Sequence, residues 1–107
     1  MAIQSALLAN GDNTLITVPG GKRYAILTIM VCNTSDAVDG DFTMYFVPDT
    51  GPTNTSTMVV NQMPMPAQET FTFDTEKLIL EEGDKIILNS SGPTYSILNA
   101  TVSFMEV

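Results

Sequence analysis

The chain contains no histidine and no tryptophan, a single cysteine, and four basic residues among 107. Each absence excludes a class of function. Without histidine there is no side chain that ordinarily titrates near neutral pH. There is no Ser-His or Cys-His nucleophile pair, and no imidazole ligand for zinc or iron. With Cys32 alone, neither an intrachain disulfide nor a thiolate cluster can form. In the run Ile29-Met30-Val31-Cys32 this cysteine reads as a small buried hydrophobe. The missing tryptophan weakens any sugar-stacking platform. Twelve acids against four bases give a net charge of -8. Nucleic acid and anionic membrane surfaces are therefore poor partners, because both are bound by lysine and arginine. The apolar start, Met1 to Ala9, lacks a basic region and is too short for a secretory or membrane segment.

What remains is a lightly charged chain, 44% apolar and 15% charged. It is long enough for one core and too short for two. Its fourteen threonines, with frequent Val, Ile, Phe and Tyr, suit pleated surfaces. Apolar runs separated by turn signals recur along the whole length, and no segment has a helical period. Ile3 to Leu8 is a first strand or an arm, followed by an Asn-Gly turn at Asn10-Gly11. Thr14 to Val18 is a strand stopped by Pro19-Gly20-Gly21. Tyr24 to Asn33 is the longest strand and is apolar on both faces except at Thr28. That pattern predicts a place in the middle of a sheet, covered on two sides.

Phe42 to Val47 and Thr57 to Asn61 are further strands, joined by a polar loop from Asp49 that carries four threonines. Met63-Pro64-Met65-Pro66 excludes a central position, since proline cannot donate to a ladder. Gln68 to Phe73 alternates cleanly. Leu78 to Leu80 and Ile86 to Leu88 flank the acidic turn Glu81-Glu82-Gly83-Asp84 and read as a tight hairpin, apolar on both faces. The last strand, Tyr95 to Val107, places Leu98, Ala100, Val102 and Phe104 on one face and Asn99, Thr101 and Ser103 on the other. The expectation is an all-β fold: one antiparallel β-sandwich, jelly-roll-like, with about nine strands. Residues 14–107 form the sandwich, and residues 1–13 are an N-terminal arm or its first strand.

No residue group makes a convincing catalytic or metal site. Asp36, Asp39 and Asp41 with Gly40 are oxygen-rich, but they lack the alternate spacing and closing Glu of a calcium loop. Nothing holds Asp74 and Glu69 or Glu76 at a separation useful for glycoside hydrolysis. Glu81, Glu82 and Asp84 read as a solvated turn. The Asn-x-Ser/Thr triplets at Asn33, Asn54, Asn89 and Asn99 reflect a chain rich in these residues rather than glycosylation. Lys22-Arg23 is a solvated strand start that offers a place for an acidic partner. Met58, Met63 and Met65 either fill gaps between sheets or form an adaptable interaction surface.

The order of these elements carries a resemblance. Thr17-Val18-Pro19-Gly20-Gly21-Lys22, an apolar strand ending Val31-Cys32-Asn33-Thr34-Ser35, then Leu78-x-Leu80-x-x-Gly83-Asp84-x-Ile86 and a closing strand ending Phe-x-Glu resemble small virion structural proteins of tailed bacteriophages. The nearest look-alikes belong to phages of marine bacteria and cyanobacteria. The likeness covers residues 14 to 107 and leaves the first dozen unmatched. It implies a virion protein assembled in the bacterial cytoplasm, with no enzymatic activity and no cofactor. A capsid decoration or cement protein that bridges major capsid subunits is the leading expectation. The alternative is a tail or tail-fibre module that binds a receptor or glycan, with Tyr45 and Tyr95 as stacking residues. A homo-oligomer, with a trimer favoured, is expected alongside the major capsid protein or other virion proteins as partners. The residues expected at the interface are Ile3, Leu7, Leu8, Arg23, Met58, Met63 and Met65.

Overall fold

The computed structural model describes residues 2–9, 11–90 and 98–107, apart from the side chains of residues 74–77. Eight strands are present among them: β1 (Ala2–Leu7), β2 (Gly11–Thr17), β3 (Tyr24–Asn33), β4 (Gly40–Val47), β5 (Met58–Met65), β6 (Thr70–Leu80), β7 (Lys85–Ser90) and β8 (Leu98–Glu106). They form two four-stranded sheets in the orders β1-β8-β3-β6 and β2-β7-β4-β5, with every pairing antiparallel. The all-β antiparallel sandwich expected from the alternation is the observed architecture. Among the described residues the strand count is lower, because residues 70–73 and 78–80 belong to one 11-residue strand, which exceeds β3 in length.

Alternation sorts each strand into an inner and an outer set. On β8, Leu98, Ala100, Val102 and Phe104 are buried while the residues between them are half-buried. β3 is flanked by β8 and β6, as its apolar sequence requires, and contributes Ile26, Ile29 and Val31 to the core. Sheet two answers with Ile16, Phe42, Met44, Ile86 and Leu88. Aromatic edges close the gap between sheets. The Phe42 and Phe71 rings lie 5.4 Å apart and those of Phe46 and Phe73 5.9 Å apart, both edge-on. That is the arrangement the ring quadrupoles favour.

The 78–88 stretch corrects the hairpin reading. β6 pairs with β3, and β7 pairs with β2 and β4, so residues 81–84 form a corner between sheets. The corner is built from backbone and one carboxylate. Asp84 N–H donates to the Glu81 carbonyl at 3.0 Å, and Gly83 N–H donates to the Val18 carbonyl at 3.0 Å. Asp84 Oδ2 accepts the Glu81 N–H at 2.9 Å, and Oδ1 accepts the Asp49 N–H at 3.0 Å. Gly83 sits at φ 84°, and a Cβ there would overlap the Asp49 carboxyl group. Only glycine takes that backbone conformation without steric cost.

Asn33 makes a second tie. Its buried amide donates to the Val38 carbonyl at 3.0 Å and the Met65 carbonyl at 2.8 Å, while its oxygen accepts the Ser35 N–H at 2.9 Å. One side chain thereby fastens the end of β3 to β5 in the opposite sheet.

Val102 is fully buried, so Val102→Asp would place an unpaired carboxylate between the sheets. A loss of several kcal/mol, or failure to fold, is expected in urea denaturation. Asp84→Ala removes two acceptor bonds at the corner and is expected to cost about 1–2 kcal/mol by the same measurement.

Candidate functional site

The residues expected at an interface separate into two groups. Ile3 and Leu7 lie on β1, paired opposite Ser103 and Asn99, and are 69% and 56% exposed. Leu8 and Met65 are core residues, 1% and 2% exposed, which removes them from any surface. Leu8 follows Leu7 with its side chain on the inner side. Met65 closes the end of the core opposite Gly40. Met63 pairs with Phe42 and packs half-buried against the core, and Met58 is half-buried opposite Tyr45. The methionine cluster is therefore mostly gap-filling. Pro64 does lie on an edge strand, β5, as its missing N–H requires.

Arg23 is at the corner end of the sandwich, beside an open cleft of about 300 Å³ lined by Gly21, Lys22, Glu81, Glu82 and Val107. Its guanidinium stands 3.9 Å from Glu81, and Lys22 bonds Glu106 at 3.1 Å. Both cations already have acidic neighbours in the chain. At the opposite end, Asp36 accepts a bond from the Gln68 amide at 3.3 Å and Asp39 from the Ala67 N–H at 3.0 Å. These acids fasten the β3–β4 loop to the turn before β6, and among the described residues no three metal-ligating side chains converge. The side chains of Asp74 and Glu76, and Tyr95 altogether, lie outside the described residues.

The feature that sequence reasoning missed is a whole sheet face. With Ala100, Val102 and Phe104 turned inward, β8 presents Asn99, Thr101, Ser103 and Met105 outward. β3 adds Ala25, Thr28, Met30 and Cys32 through the register Ala25↔Met105, Thr28↔Ser103, Met30↔Thr101 and Cys32↔Asn99. β6 adds Thr70, Thr72 and Ile79, and β1 adds Ile3, Ser5 and Leu7. Met30, Ile79 and Met105 are exposed large hydrophobes. Cys32 is half-buried on this face rather than enclosed in the core. Among the described side chains the face carries no charge, although the chain as a whole has 12 acidic and 4 basic residues.

The signal was present in the sequence as the double-sided apolarity of β3. That pattern implied cover on both sides. Among the described residues the chain supplies cover on one side only.

The outward positions of the other sheet behave differently. Thr43, Val47 and Ile87 alternate with inward Met44, Phe46, Ile86 and Leu88, yet they are buried within the chain. Tyr45, expected as a stacking residue, is half-buried on that side.

The chain matches no family model and no curated protein.

The first sheet thus offers an open face whose described side chains are uncharged, suited to contact with another surface rather than to enclosing a small molecule. Because Asp36 and Asp39 are engaged in bonds to the 66–69 turn, chelator treatment is expected to leave the melting temperature unchanged. A drop with EDTA that calcium restores would identify that loop as a cation site.

Proposed function

We propose that this chain is a structural subunit of a phage virion, a capsid decoration protein that docks on major capsid subunits through the outer face of β1-β8-β3-β6. The carrying observation is an outer face whose described side chains are all uncharged, on an acidic chain, with Met30, Ile79 and Met105 exposed on it. A surface of this kind is characteristic of contact with another protein, because charge is depleted at interface centres and contiguous apolar exposure is uncommon on monomers. Its size fits. Strands ~4.8 Å apart and nine or ten residues long give a footprint of roughly 20 by 30 Å. With side-chain relief, that approaches the ~800 Å² per partner of a standard interface.

The strand order supports the finer fold reading too. We read β1-β8-β3-β6 facing β2-β7-β4-β5 as a jelly-roll order, an architecture frequent in capsid domains. Such a subunit stabilises a shell by burying surface across the joints between capsid proteins, with no catalytic step. Residues such as Thr72, Thr101 and Ser103 supply hydroxyls that bond to a partner without the desolvation cost of a charge.

The test is co-sedimentation with particles lacking the protein. Met30→Lys with Ile79→Lys changes two exposed side chains, so the circular dichroism melt is expected to stay close to wild type. Loading onto particles is expected to weaken by at least about tenfold, since each lysine must be desolvated at the contact. Full loading by a folded double variant would rule out this face as the capsid contact. Occupancy that scales with the number of capsid subunits marks decoration; a handful of copies per particle marks a tail component.

A further inference from the structure

Among the described residues four strand edges are open in the two sheets, and three of them are visibly interrupted. β2 carries Asp12 and a register break between Thr14 and Ile16. β5 carries Pro64, two register breaks against β4, and Gln62 at φ 48°. β6 carries Asp74, Glu76 and Lys77 in its sequence and faces the β3 irregularity at Ile26/Thr28. Bulges, prolines and charges are the devices that keep an edge from pairing with another chain. β1 has none of them. Its sequence, Ala-Ile-Gln-Ser-Ala-Leu, is uncharged, and its six pairs with β8 run without a break.

The backbone geometry makes this edge specific. Leu8 N–H donates to the Leu98 carbonyl at 2.8 Å, in the same register that pairs Ala6 with Ala100 and Gln4 with Val102. In an antiparallel ladder, alternate residues bond to the same neighbour. The N–H and C=O groups of Ile3, Ser5 and Leu7 therefore aim at the open side. These same three residues place their side chains on the outer face, where Ile3 and Leu7 are the most exposed large hydrophobes of the described residues.

We propose that β1 pairs with β1 of a second copy about a twofold axis at Ser5, joining two four-stranded sheets into one of eight. The segment is self-complementary in that register. Ser5 faces Ser5 of the second copy, Ile3 faces Leu7, and Leu7 faces Ile3. All three are bonding pairs, and each exchanges two hydrogen bonds. The exposed aliphatic side chains of each copy come to lie beside those of the other. A chain of net charge -8 repels its own copies wherever acids meet, and this edge brings none to the contact. A twofold, isologous contact is also the commonest way for identical subunits to associate. It gives a dimer rather than the trimer expected from the resemblance. Six hydrogen bonds make a small joint, so the dimer dissociates on dilution. The proposal is independent of the virion reading, because the copies pair in solution without capsids.

Sedimentation equilibrium of the full chain across a dilution series tests it. The expected mass rises from the 11.5 kDa of one chain to twice that value. Ser5→Pro removes an N–H that points away from β8, so the sandwich keeps its ladder and the variant is expected to stay monomeric at every concentration. Should that variant unfold, Ile3→Lys with Leu7→Lys gives the same reading through two exposed positions. On a Cys32→Ser background, Ser5→Cys is expected to form a disulfide-linked dimer on oxidation. Opposed residues in a bonding pair lie ~5.5 Å apart at Cα, within disulfide reach. Gln4→Cys, whose side chain turns inward, is expected not to. A wild type that stays monomeric, a trimer, edge variants that still dimerise, or a dimer that Ser5→Cys fails to crosslink would each overturn the proposal.

Discussion

Everything in this molecule depends on keeping the space between two sheets dry while the chain repeatedly crosses it. Of the seven connections between eight strands, only β4–β5 stays within a sheet. Neighbours in sequence are therefore seldom neighbours in a ladder, and little local pairing forms before the sheets meet. Burial of Phe42, Met44, Ile86 and Leu88 against Ile29, Val31, Ala100 and Val102 supplies the non-local gain that must offset those closures. Such a topology folds slowly relative to its size.

The polar ties sit where the crossings occur. Asn33 at one end and Asp84 at the other each bind backbone groups from different segments. Neither is a catalytic arrangement. An interior amide with all three contacts satisfied adds definition to a crossing that apolar packing alone would leave loosely placed. Half of the twelve acids collect near these same ends, in the β3–β4 loop, the β6–β7 corner and the start of the β4–β5 connection. Their charge keeps the ends hydrated, while the described side chains on the broad face of the first sheet carry none.

Much of this was legible in the sequence, and the failures have a common cause. Strict alternation in β8 gave its inner face residue by residue, and β3 announced its central place by being apolar throughout. Pro64 placed β5 at an edge. The 78–88 stretch misled because a tight turn between apolar runs looks alike whether its strands pair with each other or with third parties. The choice lies in β3, β2 and β4, far away in sequence. Leu8 and Met65 were misassigned for a related reason. Each terminates a segment whose other apolar residues are exposed or half-buried, and the face a residue takes is set by register with a distant strand. The outer face of the first sheet was hidden because threonine, serine and asparagine in alternation read simply as solvent-facing.

That last point separates the two sheets physically. A solvated face on a chain this acidic gains from carrying charge, which holds water and keeps copies apart. The second sheet has Asp12, Asp41 and Lys85 among its strands and buries Thr43, Val47 and Ile87 beneath its own chain. The first sheet has Glu106 at the end of β8 and Asp74, Glu76 and Lys77 in the sequence of β6, and its described outward side chains are neither charged nor buried. Its outward residues are hydroxyls, amides, methionines and aliphatics, on a scaffold whose spacing is fixed by three unbroken or once-shifted ladders. Rigid spacing lowers the entropy lost on contact, and neutral side chains lower the desolvation cost. A sheet face with those two properties loses little free energy to ordering or desolvation when it is covered.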